Sequence, residues 1–273
     1  MRELPVSSDF PRNASQCLTI EYSGMLLTIL IPVFNEERLV ARLLRKIIPL
    51  DVSPATGREI IVIDDGSTDG TRRAIEEVLA GCPDGGIRML VHDRNRGKGA
   101  AVRTGLGVAA GEVVIIQDAD LEYDPEDIPA LVGRIVGGTA KVVYGSRILR
   151  EKALGRSGCC GLMKGKHPDS YALAYLGGIA ITRWTNMVTG AMLTDEPTCY
   201  KCFHREVLAG LIVESDDFAW EPEITVKVLN GGWRIEEVPI GYHPRKLREG
   251  KKINWKDGVK ALWTVWKYGR PKT

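Results

Sequence analysis

Val113-Val-Ile-Ile-Gln-Asp-Ala-Asp-Leu-Glu-Tyr-Asp-Pro125 is an apolar run that ends on acids. Four consecutive aliphatic residues read as a strand buried on both faces, as in a parallel sheet covered by helices. Asp118 and Asp120 follow where that strand should stop, and alternation at period two puts both side chains on one side of the backbone. Ligands of open α/β sheets bind beyond the carboxyl ends of the strands, so a divalent cation is the expected occupant of this pair. An Asp-x-Asp-x-Asp calcium loop is excluded, since it needs glycine at Tyr123 and glutamate at Pro129. Mg2+ or Mn2+ fits instead, because these ions use one or two carboxylates and draw other ligands from water and substrate phosphates. The implied partner is a diphosphate. Asp124-Pro125-Glu126-Asp127 reads differently, as a helix N-cap with proline at the first helical position.

Working outward, the same pattern repeats. Leu26-Leu-Thr-Ile-Leu-Ile-Pro-Val33 is a buried strand, broken by Phe34-Asn35-Glu36-Glu37, and residues from Glu37 to Ile48 have the apolar spacing of an amphipathic helix. Glu59-Ile-Ile-Val-Ile63 is a second strand, with Asp64-Asp65-Gly66-Ser67-Thr68-Asp69-Gly70 at its end and a helix from about Thr71 to Ala80. Arg88-Met-Leu-Val91 and a helix from Gly99 to Ala110 complete a third pair. Strand alternating with helix specifies an α/β fold with a mostly parallel sheet. The first 24 residues lack sustained periodicity and read as a flexible extension.

Composition excludes several classes. The 273 residues are 44% hydrophobic and 26% charged, which suits one globular domain with an ample core. No run approaches the roughly 18 apolar residues of a membrane span. Six cysteines without a signal-peptide apolar region suggest reduced thiols in the cytoplasm. Gly105-Leu-Gly107-Val-Ala-Ala110 fits a dinucleotide fingerprint but falls inside a helix, where that fingerprint has no phosphate to hold. No Walker sequence occurs, so phosphate chemistry here depends on a metal.

Three strand-end loops carry polar clusters, Pro32-Val-Phe-Asn-Glu36, Asp64-Asp65-Gly66-Ser67 and Asp118-Ala-Asp120, with Asn95-Arg96-Gly97-Lys98-Gly99 nearby. Together they resemble family 2 glycosyltransferases of the GT-A (Rossmann-like) fold, most specifically the branch that glycosylates dolichyl or polyprenyl phosphate. The likeness spans about residues 26–245. It implies that Pro32, Asn35, Glu36 and Asp65 line a base and ribose pocket, with Asp65 accepting from a base N–H of uracil or guanine alike. It implies that Lys98 and Asp118 bind the donor, that Asp118 and Asp120 hold the metal with Asp120 most direct, and that Glu122 stands at a third ligand position. Arg147, at the end of Lys141-Val-Val-Tyr-Gly-Ser-Arg147, resembles an acceptor-phosphate arginine, and Arg183 is a second candidate. The expected reaction moves a hexose from a nucleotide sugar of the GDP-mannose or UDP-glucose type to polyprenyl phosphate, with inversion.

The second half adds less regular signals. Arg150 to Asp169 is rich in glycine and lysine and reads as a loop over the site. Tyr171 to Met192 reads either as interfacial helices or as a core helix pair. Leu193-Thr-Asp-Glu-Pro-Thr-Cys-Tyr-Lys-Cys-Phe203 resembles a family segment closing the back of the site, with Asp195 and Lys201 as supporting groups. A sugar-hydroxyl acceptor would need a carboxylate base, and Glu221 and Glu223 are the candidates, each also explicable as helix N-terminal charge. A polyprenyl phosphate is already largely ionised and needs positioning arginines instead. Such an enzyme is the expectation; the alternatives are a GT-A enzyme acting on a saccharide or small-molecule hydroxyl, and a nucleotide-binding regulatory module without transfer.

Net charge is only +2, yet residues 243–273 carry ten Lys/Arg against Glu249 and Asp257, a local +8. Within them Trp255, Val259, Leu262 and Trp266 recur at helical spacing, so one face either docks on the domain or lies in a lipid headgroup layer. The expected organisation is a flexible extension over 1–24, a single catalytic domain over 25–244 and a basic amphipathic tail over 245–273. The expected location is the cytoplasm, peripheral on the cytoplasmic face of a membrane, with no nucleic-acid partner.

Overall fold

The computed structural model describes residues 24–82, 86–155, 168–245 and 255–269, with the side chains of 168–174 outside that set. Residues 1–23 of the expected extension, and 246–254 and 270–273 of the tail, lie outside the described residues.

Seven strands form one sheet: β1 (Leu26–Val33), β2 (Gly57–Asp64), β3 (Ile87–Val91), β4 (Val113–Ile116), β5 (Val142–Ser146), β6 (Lys201–His204) and β7 (Ile235–Pro239). Their order is β3-β2-β1-β4-β6-β5-β7. All pairings are parallel except those of β6, which runs antiparallel to both β4 and β5. The three expected strand-helix pairs are present, with α1 at Val40–Ile47, α2 at Thr71–Gly81 and α3 at Lys98–Leu106. The α1 helix starts three residues later than its apolar spacing suggests, because Glu36 to Leu39 form the turn that leaves β1.

The central strands show why their sequences are apolar without alternation. Leu27, Ile29, Ile31, Ile60 and Val62 join the larger core, whereas Leu30, Ile61 and Ile63 point to the opposite face and pack with Ala101 and Val114. Period-two alternation therefore distributes one aliphatic run between two helical layers, and each fully buried side chain contributes about 1.5–3 kcal/mol.

The end of β4 departs from simple alternation. The strand stops at Ile116, and Leu121 adopts a left-handed φ of 59°, so Asp118 and Asp120 are presented by a turn. Asp124 does cap a 3-10 turn (Pro125–Asp127), accepting from the Glu126 N–H, ahead of α4 (Ile128–Val136).

Two further expectations need correction. The stretch from Arg150 is not irregular throughout, since α5 covers Arg147–Ala153, started by Ser146, whose hydroxyl accepts from the Leu149 N–H; residues 156–167 lie outside the described set. Tyr171 to Met192 is neither several helices nor a pair, but most of one 22-residue helix, α6 (Pro168–Thr189). After β6 come α7 (Arg205–Leu208), α8 (Trp220–Asn230) and α9 (Trp255–Tyr268). The α9 helix packs against α6 and α8.

Candidate active site at the switch point of the sheet

Chain order reverses at β1, which lies between β2 and β4, so the crevice beyond its carboxyl end is where an open α/β sheet binds ligands. A cavity of about 420 Å³ opens there, lined at its floor by Pro32, Glu36, Asp65, Lys98, Asp118 and Asp120. Glu122 and Arg245 also line it, as do Phe218 and Asp257 from the α8 approach and the first turn of α9. The structure thus gathers most of the sequence-identified donor residues around one space.

Asn35 is the exception. It has a left-handed φ of 50°, its Oδ1 accepts from the Thr68 N–H at 2.8 Å, and its own N–H donates to Ser67 Oγ at 3.0 Å. It clamps the β1 loop to the β2 loop and is not among the residues lining the cavity.

Asp65 is buried and heavily engaged. Its Oδ1 accepts from the Arg96 N–H at 2.9 Å and meets His92 Nδ1 at 2.6 Å, while its Oδ2 accepts from the Gly97 N–H at 2.7 Å. Those amides are delivered by a turn only glycine can make: Gly97 has φ 97°, and a Cβ there would sit 2.4 Å from the Asp216 carbonyl oxygen.

Lys98 begins α3 and is pinned between carboxylates, its Nζ 2.7 Å from Asp118 Oδ1 and 2.6 Å from Glu221 Oε1. Burial opposes its charge, but Asp118 and Glu221 outweigh burial and hold its pKa well above the ordinary lysine value. Phe218 and Trp220 place their rings 5.8 Å from the same ammonium. Glu221 is therefore a counter-ion. Glu223 is a loop clamp, accepting from the Glu214 and Ser215 N–H groups and from Lys227 Nζ.

Arg245 was legible only as one charge of the basic tail, yet it enters the site. Its Nη1 lies 3.1 Å from Glu36 Oε2 and its Nη2 lies 3.1 Å from Asp120 Oδ2, while its N–H donates to Glu122 Oε1 at 3.0 Å. Even so, burial together with the charges of Asp118 and Glu122 holds the Asp120 carboxyl up to about 7, against an opposing pull from Arg245.

Among the described residues, no three His, Cys, Asp or Glu side chains converge on a single ion position. Glu122, the expected third ligand, is engaged by other groups here: its Oε2 accepts from Tyr242 Oη at 2.7 Å and its Oε1 from the Arg245 N–H at 3.0 Å. Asp118 and Asp120 nevertheless share one cavity with surplus negative charge, which suits an Mg2+ or Mn2+ ion that shares its shell with a diphosphate.

Arg147 stands beside this cavity, at the carboxyl end of β5. Asp195 fixes its side chain and Tyr242 covers it, the guanidinium carbon 5.0 Å from the ring centroid. Tyr242 thus touches both Glu122 and Arg147. Arg183 is elsewhere, exposed on α6 and not part of the cavity lining. Lys201 is fully buried under the site, donating to the Glu196 carbonyl at 2.8 Å and to Thr225 Oγ1 at 3.1 Å.

The tail helix resolves a choice left open by its sequence. Ala261, Thr264 and Val265 are buried, Trp184 Nε1 donates to the Leu262 carbonyl at 3.0 Å, and Trp255, Val259, Trp263 and Trp266 remain exposed. The helix docks by one face and, among the described residues, carries an exposed aromatic face. Leu262 is only partly buried and belongs to neither face alone.

Residues 28–160 match the model of glycosyl transferase family 2. The chain is 35% identical over 225 residues to the undecaprenyl-phosphate 4-deoxy-4-formamido-L-arabinose transferase of Shewanella sediminis, covering 82% of this chain and 60% of that protein. It is 28% identical over 220 residues to the dodecaprenyl-phosphate galacturonate synthase of Rhizobium johnstonii, covering 81% of this chain and 60% of that protein. The chain thus spans about 60% of the length of these curated relatives. In fold it is similar to glucosyl-3-phosphoglycerate synthase from Mycobacterium tuberculosis, solved with Mn2+, uridine diphosphate and phosphoglyceric acid, with TM-score 0.63 and 18% identity over 90% of this chain and 79% of that one.

Proposed function

We propose, from the match of residues 28–160 to the model of glycosyl transferase family 2, that the protein is a glycosyl transferase moving a hexose from a nucleotide sugar, of the GDP-mannose or UDP-glucose type, to a polyprenyl phosphate. One observation carries the reading: the carboxylates of Asp65, Asp118 and Asp120 line a single cavity at the switch point, and a fixed cationic group, Arg147, stands at the carboxyl end of β5, the next strand parallel to β4. The named acceptors of both curated relatives are polyprenyl phosphates, which supports the acceptor class.

In this reading Pro32, Glu36 and Asp65 receive the nucleoside, and Lys98 faces the diphosphate. Asp118 and Asp120 hold Mg2+ or Mn2+, which when bound neutralises charge on the diphosphate. Loss of the diphosphate leaves an oxocarbenium-like sugar, attacked from the opposite side by a phosphate oxygen that needs no base at neutral pH. Arg147 orients that phosphate. The engagement of Glu221 with Lys98 and of Glu223 with the 214–215 amides speaks for this acceptor over a sugar hydroxyl, whose attack would require a free carboxylate base.

A lipid acceptor places the protein at a membrane surface. Among the described residues no helix is long and apolar enough to cross a membrane. The exposed Trp255, Val259, Trp263 and Trp266, with Lys256 and Lys267 on the same helix, form a face suited to the headgroup layer. We place that contact on the cytoplasmic side, where nucleotide sugars are supplied.

The test is transfer of radiolabelled sugar from a panel of nucleotide sugars to undecaprenyl phosphate in Mg2+ or Mn2+. Label in the lipid fraction, lost with Asp120→Asn, is expected. Transfer only to a saccharide hydroxyl, abolished by Glu221→Gln, would favour the sugar-acceptor alternative; binding without transfer would favour a regulatory module.

A further inference from the structure

We propose that the Asp65 carboxylate selects a uracil base, because the surrounding chain has already used all but one of its acceptor positions. The inference rests on the nucleotide-sugar reading and adds the identity of the base to it.

A carboxylate offers about four lone-pair positions, two on each oxygen. At Asp65, Oδ1 accepts from the Arg96 N–H at 2.9 Å and from His92 Nδ1 at 2.6 Å. In this pair Nδ1 is the donor to the carboxylate, and His92 Nε2 is paired in turn with Thr104 Oγ1 at 3.0 Å. Among the described residues, Oδ2 accepts only from the Gly97 N–H at 2.7 Å. One position remains, on Oδ2, of a residue that lines the cavity while only 3% exposed.

A single acceptor matches a single N–H. Uracil presents one, N3–H, between two carbonyl groups. Guanine presents N1–H and the N2 amino group side by side, a pattern that pairs with both oxygens of a free carboxylate. Here Oδ1 is filled, so one guanine donor would enter the site without a partner, and an unmade buried hydrogen bond is costly. Adenine and cytosine offer an amino hydrogen beside a ring nitrogen lone pair, which would face the same carboxylate and be repelled. His92 is thus a positioning residue: it need not touch the base, yet by occupying Oδ1 it narrows what the base can be. Its own burial, with 6% of the side chain exposed, keeps water from competing for that bond.

The experiment is calorimetric titration of the full chain with UDP, GDP, CDP and ADP in Mg2+, repeated for His92→Leu and His92→Asn. UDP is expected to bind at least tenfold more tightly than the other three. His92→Leu should shrink the UDP-to-GDP ratio at least threefold by returning a lone pair on Oδ1, and His92→Asn, whose amide can donate to Oδ1, should keep the ratio closer to that of the parent. GDP binding as tightly as UDP would overturn the base assignment and leave the donor reading standing. Failure of all four nucleotides to bind would overturn both. If His92→Leu does not fold, the panel on the unaltered chain decides the base by itself, and His92→Asn decides the role of His92.

Discussion

Arg147 and Asp195 meet edge to edge: Nε donates to Oδ2 and Nη2 to Oδ1, both at 2.7 Å, and the Arg147 backbone N–H adds a third bond to Oδ2 at 2.9 Å. Asp195 is in turn held by Glu237, whose carboxylate accepts from the Thr194 and Asp195 N–H groups. One edge of the guanidinium is thereby spent, Nη2 also donates to the Pro197 carbonyl at 3.0 Å, and among the described residues Nη1 is the nitrogen left to meet a phosphate. A bidentate pair of this kind is a geometric device that lysine does not reproduce.

Arg147→Lys is therefore expected to raise the KM for polyprenyl phosphate at least tenfold while leaving nucleotide affinity within a factor of two. Arg147→Ala should in addition lower stability by about 3–5 kcal/mol, because Asp195 would keep a buried, unmatched charge. Acceptor titrations beside urea denaturation separate the two effects. A loss of donor affinity alone with Arg147→Lys would assign the residue to the other half of the site.

Asp120→Asn should remove transfer without lowering the melting temperature, and chelation of divalent ions should remove transfer by the parent protein. The readout is sugar transfer before and after EDTA, with restoration by Mn2+ or Mg2+. Full activity after exhaustive chelation would exclude the ion from the reaction.

The Asp120 carboxyl titrates at about 7, raised by burial and by Asp118 and Glu122, against an ordinary 3.8. Between those values the folded protein keeps a proton that the unfolded chain releases. Stability from this group is thus full below about pH 4 and falls as pH rises through about 7. Thermal melts of metal-free protein from pH 5 to 8 should show this decline, and Asp120→Asn should flatten it. An unchanged slope in the variant would assign the decline to other groups.

The two faces of α9 should separate by mutation. Val265→Asp, at a fully buried position, should lower stability by about 3 kcal/mol. Replacing Trp255, Trp263 and Trp266 with serine should leave the melting temperature within a few degrees, yet reduce sedimentation with anionic vesicles severalfold and slow transfer to long-chain more than to short-chain acceptor. Equal losses on both acceptors, with a large drop in melting temperature, would make the whole helix part of the core.

Much of the fold could be read directly from the residues. Runs such as Leu26-Leu-Thr-Ile-Leu-Ile admit few structures other than buried parallel strands, and their bounds in β1 agree with the expectation. The strand-end acids were equally legible, because sequence places them where apolar residues stop. Less legible were segments whose conformation is set by distant partners. Arg150 looked irregular yet lies in a helix capped by Ser146, and the tail arginine Arg245 was indistinguishable from its neighbours until the chain after β7 carried it to Glu36 and Asp120.

By itself, the sequence determined the α/β class, the three β-α units and the set of acids facing one edge of the sheet, because hydrophobic period and strand termination are local properties of the chain. Only the tertiary structure decided which polar groups are already engaged. Asp65 is engaged at all but one position by His92, Arg96 and Gly97, while Glu122 is engaged by Tyr242 and Arg245, and Glu221 by Lys98. Those partners lie from 27 to 123 residues away. A hydrogen bond saturates an acceptor regardless of sequence distance, so the capacity of each carboxylate to receive a ligand is a property of the folded neighbourhood and not of the residue.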